Sequence, residues 1–254
     1  MQDRKLGNGV ARQVLLAICT IAYPAMGVHQ AVNPSKQQEA EARLFTANSD
    51  RIDDLLAKSS GDIVVRNTVL SDGGFQTFAT RPKSEAEWIQ MRLDSFVCDH
   101  DLIVLGTFGT GTSHRTSDDK FLYTDWPVLV DTVIKNGAAA PVKVGNTITV
   151  AHTGGVMKIN GHTVMAVDDN FSRSFTAGER CLLFLTYIPA SGTYGMFSPY
   201  TAYSLSGDKV GSFASFPHAP RIETLDKAHL MAGIESAVSS MGNPPRSGCK
   251  GATP

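Results

Sequence analysis

The stretch Phe121-Leu-Tyr-Thr-Asp-Trp-Pro-Val-Leu-Val-Asp-Thr-Val-Ile-Lys-Asn-Gly137 decides the fold. Trp126, Val128, Val130, Thr132 and Ile134 fall on one side of an extended chain, and Tyr123, Asp125, Leu129, Asp131 and Val133 fall on the other. A period of two over this length is that of a β-strand. Pro127 is the local exception: it has no N–H to give to a ladder, which predicts a bulge or an edge position there. A second run, Phe175-Thr-Ala-Gly-Glu-Arg-Cys-Leu-Leu-Phe-Leu185, leads into the most apolar strand of the chain.

Further strands flank these two. Asp101 to Phe108 is apolar and bounded by glycine, which fits a buried strand. Gly109 to Asp119 reads as a polar hairpin loop. Thr147 to His152 is a strand, and Asn160-Gly161 is a two-residue hairpin signal joining Val156–Ile159 to His162–Val167. Thr193 to Phe197 and Tyr200 to Leu205 finish the set. Short strands with regularly spaced turns predict a mainly β, α+β fold built on an antiparallel barrel or sandwich.

Helices bracket that region. Asn33-Pro34-Ser35 is a start signal for helical sequence through Lys58, interrupted near residues 46–50, with Ile52, Leu55 and Leu56 on one face. Asp62 to Arg66 reads as a strand that pairs, through the turn Ser71 to Gly74, with Phe75 to Thr80. Ser84 and Glu87 form a capping-box pattern ahead of a helix to about Val97. Ile222 to Met241 predicts a closing helix across an open end or edge of the barrel, and residues 242–254 read as a disordered tail.

Composition excludes some functions. The formal net charge is −1 and basic residues are scattered, so no cationic surface recruits nucleic acid. Arg4, Lys5 and Arg12 precede the apolar run Val14 to Ala22, and Ala25-Met-Gly27 follows, which reads as an export signal over residues 1–27. The run is shorter than the ~20 residues a membrane span needs, and no other segment could cross. Lipoprotein anchoring at Cys19 is a minor alternative, since Ile18 is larger than the residue such sites place before the cysteine. The expected organisation is a signal peptide (1–27), a helix and strand extension (28–97), the barrel (98–210), the closing helix (211–241) and the tail.

Removal of the leader leaves Cys98, Cys181 and Cys249, enough for one bridge and one thiol. A Cys98–Cys181 disulfide is one reading, given an oxidising compartment, with Cys249 exposed in its Pro/Gly tail. The other reading, since both sit within or beside apolar runs, makes Cys98 and Cys181 small buried hydrophobes.

The pattern Asp-Leu-Ile-Val-Leu-Gly-Thr from Asp101, Tyr-Thr-Asp from Tyr123 with Val-Ile-Lys-Asn-Gly ending at Gly137, Ile-Thr-Val from Ile148, and Phe-Thr-Ala-Gly-Glu-Arg from Phe175 resembles a group of exported, uncharacterised bacterial proteins. Their barrel looks like the OB-type barrel of netrin-like and tissue-inhibitor-of-metalloprotease-like domains. The resemblance covers Asp101 to about Leu205 and implies an OB-like fold. It carries no inhibitory residue, because such inhibitors chelate metal through an amino-terminal Cys-x-Cys that this chain lacks.

Chemistry is sparse. Gly106-Thr-Phe-Gly109-Thr-Gly111 is followed by loop sequence where a phosphate site needs a helix, so no nucleotide cofactor is implied. Ser113 and His114 adjoin, with Asp118 and Asp119 nearby, but no Gly-x-Ser-x-Gly accompanies them. His100, His114, His152 and His162 lack metal-ligand spacing, and Asp168-Asp169-Asn170 lacks the spaced acidic loop of a calcium site and reads more simply as a turn. The leading expectation is a non-enzymatic binding module for a protein or glycan, without a cofactor. Outward-facing aromatics among Tyr187, Tyr194, Phe197, Tyr200 and Tyr203 would give it a platform. The alternatives are a secreted hydrolase whose loops bring His114, His152 and Asp168 together, and a structural envelope component.

Overall fold

Five strands close a ring. In the computed structural model, which describes residues 50–67, 84–137, 141–215, 222–241 and 249, β2 (Leu102–Phe108) pairs with β4 (Leu122–Asn136) and β4 with β5 (Thr147–Thr153). Strand β5 pairs with β9 (Thr193–Met196), β9 with β8 (Arg180–Ile188), and β8 returns to β2. All of these pairings are antiparallel except β5 with β9. Numbered along the chain, the barrel strands therefore run 1-2-3-5-4 around the ring. Leu102, Val104, Phe108, Val128, Val130, Val150, Leu183 and Leu185 fill the interior.

Strand β4 explains both features of the opening stretch. Its register against β2 shifts opposite Ile103/Val104 and again opposite Leu105/Gly106, the bulges that a 15-residue strand uses to wrap a small barrel. The strict alternation expected through Ile134 consequently ends at Val130: Val133 packs on the barrel interior and Ile134 on the outer helical layer. Pro127 is neither at a bulge nor on an edge strand. Its carbonyl accepts from Gly109 N–H, just beyond the end of β2. In an antiparallel strand a residue's nitrogen points to the same side as its carbonyl, so the missing donor faces a place where β2 has already ended. The expected loop at 109–119 contains β3 (Thr112–Arg115), which pairs with the start of β4.

One wall of the barrel is covered by helices. Leu93 and Val97 of α2 (Glu85–Asp99) and Leu230 and Ile234 of α3 (Lys227–Ser240) pack with Ile103, Leu105, Leu182 and Phe184, the outward residues of β2 and β8. Strand β10 (Ala202–Ser204) adds Tyr203 to this layer and carries the two-residue β11 (Gly211–Ser212) on its far side. Each helix is started by a side-chain cap, Ser84 accepting from Glu87 N–H and Asp226 from His229 N–H. The end of α2 is held by Lys135 of β4, whose buried ammonium donates to the carbonyls of Val97 and His100 at 2.6 Å each. Burial lowers the Lys135 pKa, while Asp101 and Asp99 act to raise it. Replacing it by an isosteric apolar residue leaves two carbonyls in a dry site, so Lys135→Met should cost about 3 kcal/mol in urea unfolding.

The Asn160-Gly161 hairpin forms as expected, with both residues at positive φ, 51° and 85°. Its strands, β6 (Gly155–Ile159) and β7 (His162–Asp168), leave the barrel and join β1 (Ile63–Asn67) in a separate sheet of order β1-β7-β6. Strand β1 runs parallel to β7. Under this sheet Val65, Val164 and Ile159 pack on Ile52 of α1 (Ile52–Lys58) and on Phe121 and Leu122. Through these contacts, and those of α2 on the β2–β8 wall, α1, β1 and α2 belong to the same compact unit as the barrel.

The disulfide joins Cys98 to Cys249, not to Cys181. Cys181 points into the barrel core, fully buried beside Leu183 and Val104, where burial raises its thiol pKa. Cys98 sits outside the barrel near the end of α2, so the wall of β2 and β8 separates the two sulfurs. Residues 1–49, with the expected leader and Cys19, the hairpin at 75–80, and the tail apart from Cys249 lie outside the described residues.

Candidate binding face

The wall formed by β4, β5 and β9 presents Asp125, Pro127 and Leu129 from β4 and Thr147 and Thr149 from β5, the positions that alternate with the interior residues Val128, Ile148 and Val150. Leu129 is 48% exposed. Phe197 follows β9 and lies over Gly195, where a Cβ would meet its ring at 2.2 Å. Gly195 is what lets that ring lie against the strand.

Strand β3 adds a polar corner. His114 is paired with Tyr123 across β3 and β4, packs against its ring at a tilt of 31° with centroids 5.3 Å apart, and places Nε2 3.2 Å from Asp125 Oδ2. The other Asp125 oxygen is shielded from solvent without a hydrogen-bond partner among the described residues. Beneath it Tyr123 and Ala151 form a small buried cluster of their own.

His152 lies on the opposite face of the same sheet. It is directly across from Thr124 and shares the interior with Val150, with its ring edge-on to Phe171 at 4.3 Å and Phe175 at 5.1 Å. These two phenylalanines come from the β7–β8 connection and plug the end of the barrel, Phe175 stacking on Phe108 at 4.4 Å. Complete burial pushes the His152 pKa down to about 3, so the ring is neutral near pH 7, and its Nε2 has no hydrogen-bond partner among the described residues.

Asp168 ends β7 at the junction between barrel and small sheet. Its carboxylate accepts from Thr153 Oγ1 at 2.6 Å and from the backbone and side-chain N–H groups of Asn170. His114, His152 and Asp168 thus have three separate surroundings. Ser113 shares a hydrogen bond with Thr124 Oγ1 and accepts from Val156 N–H, facing away from His114. Among the described residues no three His, Cys, Asp or Glu side chains gather as a metal site.

The aromatic platform reduces to one ring. Tyr194 and Tyr203 are buried, Tyr187 packs on the barrel core and Tyr200 on the helical layer, which leaves Phe197 at 38% exposure. Asp125 entered the sequence reading only as a fold position, in the Tyr-Thr-Asp pattern and on the side of β4 opposite Val128, which marks it as outward. No described helix is long and apolar enough to cross a membrane. No protein-family model matches the chain, and no curated protein matches it.

Proposed function

We propose that this is an exported, non-enzymatic binding module whose OB-like barrel offers the β4–β5–β9 wall to a protein or glycan partner. The observation that carries the reading is the contrast between the two walls: helices cover the one made by β2 and β8, while the other leaves Leu129 and Phe197 open beside the His114–Asp125 pair. The ring order 1-2-3-5-4 supports an OB-like assignment, and OB barrels bind through the face of their second and third strands, here β4 and β5. That analogy concerns fold, and the wall's own side chains give the chemistry: apolar and aromatic contact at one side, hydroxyls of Thr147 and Thr149, and a carboxylate–imidazole pair. The Cys98–Cys249 bridge supports an oxidising destination, in keeping with the leader-like amino terminus. Kinship with netrin-like barrels rests on the quoted residue pattern and the five-stranded ring, and it adds no inhibitory site.

Affinity capture from extracytoplasmic extract, run in parallel with the wild-type chain and Leu129→Asp, tests the reading. A partner of this wall should be retained by the wild type and bind the variant at least about tenfold more weakly. Equal retention by both overturns the assignment of this wall. Turnover of an ester, peptide or glycoside that disappears in His114→Ala would favour the hydrolase instead.

A further inference from the structure

From the interior of the barrel we infer a binding site separate from the outer wall: the place now held by the Phe175 ring takes a small phenol, which enters as Phe175 swings out. Phe175 reaches into the barrel end from the β7–β8 connection and is boxed in by four other rings. It stacks on Phe108 with centroids 4.4 Å apart and planes 15° apart, and lies tilted on Phe213 at 4.5 Å. The His152 and Trp126 rings meet it edge-on at 5.1 and 5.9 Å. Such a box suits any small planar ring, and here the chain supplies its own.

The box is lined for more than a benzyl group. Trp126 Nε1 and His152 Nε2 are both shielded from solvent, and both lack a hydrogen-bond partner among the described residues. Buried polar nitrogens are normally paired, so two in one place call for a reason that apolar packing does not give. The sheet sets them together: Trp126 lies opposite Val150 and His152 opposite Thr124, which makes the two rings diagonal neighbours across β4 and β5. Gly111 backs the indole, where a Cβ would come within 2.8 Å of its ring atoms, and Phe171 meets the imidazole edge-on at 4.3 Å.

Phe175 touches both rings and has no atom to offer either nitrogen. A phenol has one: its oxygen accepts from the Trp126 indole N–H, and its O–H donates to His152 Nε2, which accepts when the neutral ring carries its proton on Nδ1. It is also about the size of the benzyl group it displaces. A carboxylate would bring a charge into an apolar core, and an aliphatic alcohol would lose the ring contacts with Phe108 and Phe213. The hydrogen bonds of the connection allow the exchange, because they fall on either side of Phe175. Ser172 N–H donates to the Phe213 carbonyl before it; after it, Thr176 N–H donates to the Glu179 carboxylate and Gly178 N–H to the Phe108 carbonyl. The ring can leave while both anchors hold, and the affinity of the wild type is lowered by the small fraction of molecules whose box is vacant.

Titration of the full chain with phenol, followed by proton–nitrogen NMR of its two tryptophans, tests this. The Trp126 indole signal should shift saturably while that of Trp88 stays in place, with Trp88→Phe fixing the assignment. Toluene, which fits the same box without a hydroxyl, should bind at least about tenfold more weakly, and His152→Leu should remove most of that preference. Phe175→Ala, its fold checked by circular dichroism, should bind phenol at least about tenfold more tightly, since the box then stands vacant. Nuclear Overhauser contacts between phenol and the Phe108 ring in the wild type give a readout that needs no variant. No saturable shift in the wild type, equal binding of toluene, contacts from phenol only to residues outside the box, or unchanged affinity in a folded Phe175→Ala would overturn the proposal.

Discussion

Acidification from pH 6.5 to pH 4 should remove about 3 kcal/mol of folding stability that a His152→Leu variant does not lose. His152 titrates near 6.5 in the unfolded chain and is pushed down to about 3 in the fold, where burial among Phe171, Phe175 and Val150 penalises the charged ring. Between those two values the unfolded chain binds a proton that the folded chain does not. Stability from this group is therefore complete above pH 6.5 and declines as pH falls toward 3, at about 1.4 kcal/mol per pH unit. Carboxylates titrate in part of the same range, so the test is the difference between wild type and His152→Leu in urea unfolding at several pH values. Parallel curves for the two proteins would mean that His152 is not buried as a neutral ring. Leucine also removes the Nε2 atom without a described hydrogen-bond partner, so the variant should be no less stable than the wild type at pH 4.

Loss of the Cys98–Cys249 bridge should cost between about 2 and 5 kcal/mol. Its sulfurs join positions 151 residues apart, and closing so long a loop removes much of the freedom of the unfolded chain, up to about 5 kcal/mol on the chain-entropy account. The Cys98→Ala/Cys249→Ala chain should unfold at correspondingly lower urea, and adding a reductant should move the wild type toward it. Cys181→Ala separates this pairing from the one expected from sequence alone. With Cys98 bonded to Cys249, the Cys181→Ala protein stays oxidised and lighter by two hydrogens than its reduced form; a bridge to Cys181 would vanish in it.

The barrel was legible because its information is local. The alternation of residues 121–130 and the Asn160-Gly161 turn specify strands without reference to anything distant. Alternation past Val130 misled because bulges are set by barrel closure, which no short window carries. The β6–β7 hairpin was visible, but its departure into a sheet with β1 depends on a parallel pairing about 100 residues apart in sequence, as Ile63 with Val164 shows. The candidate face was the least legible part. His114, His152 and Asp168 were linked by residue type, yet the register of β3 on β4 sends His114 outward and the parity of β5 sends His152 inward. Asp125, which does meet His114, was hidden as one polar residue in an alternating strand. The bridge was misread for a similar reason: Cys98 and Cys181 both adjoin apolar runs, and only the packing tells that a barrel wall stands between them.

Burial of Cys181 also sets an order of events as the chain is made. Synthesis runs from the amino end, so Cys181 emerges well before Cys249 and is the first later thiol that Cys98 can meet. Correct pairing then depends on a race: β8 must take its place between β2 and β9, hiding the Cys181 sulfur, before an oxidant reaches it. The barrel core thereby acts as a protecting group, and Cys249 adds the bond that seals a structure already formed.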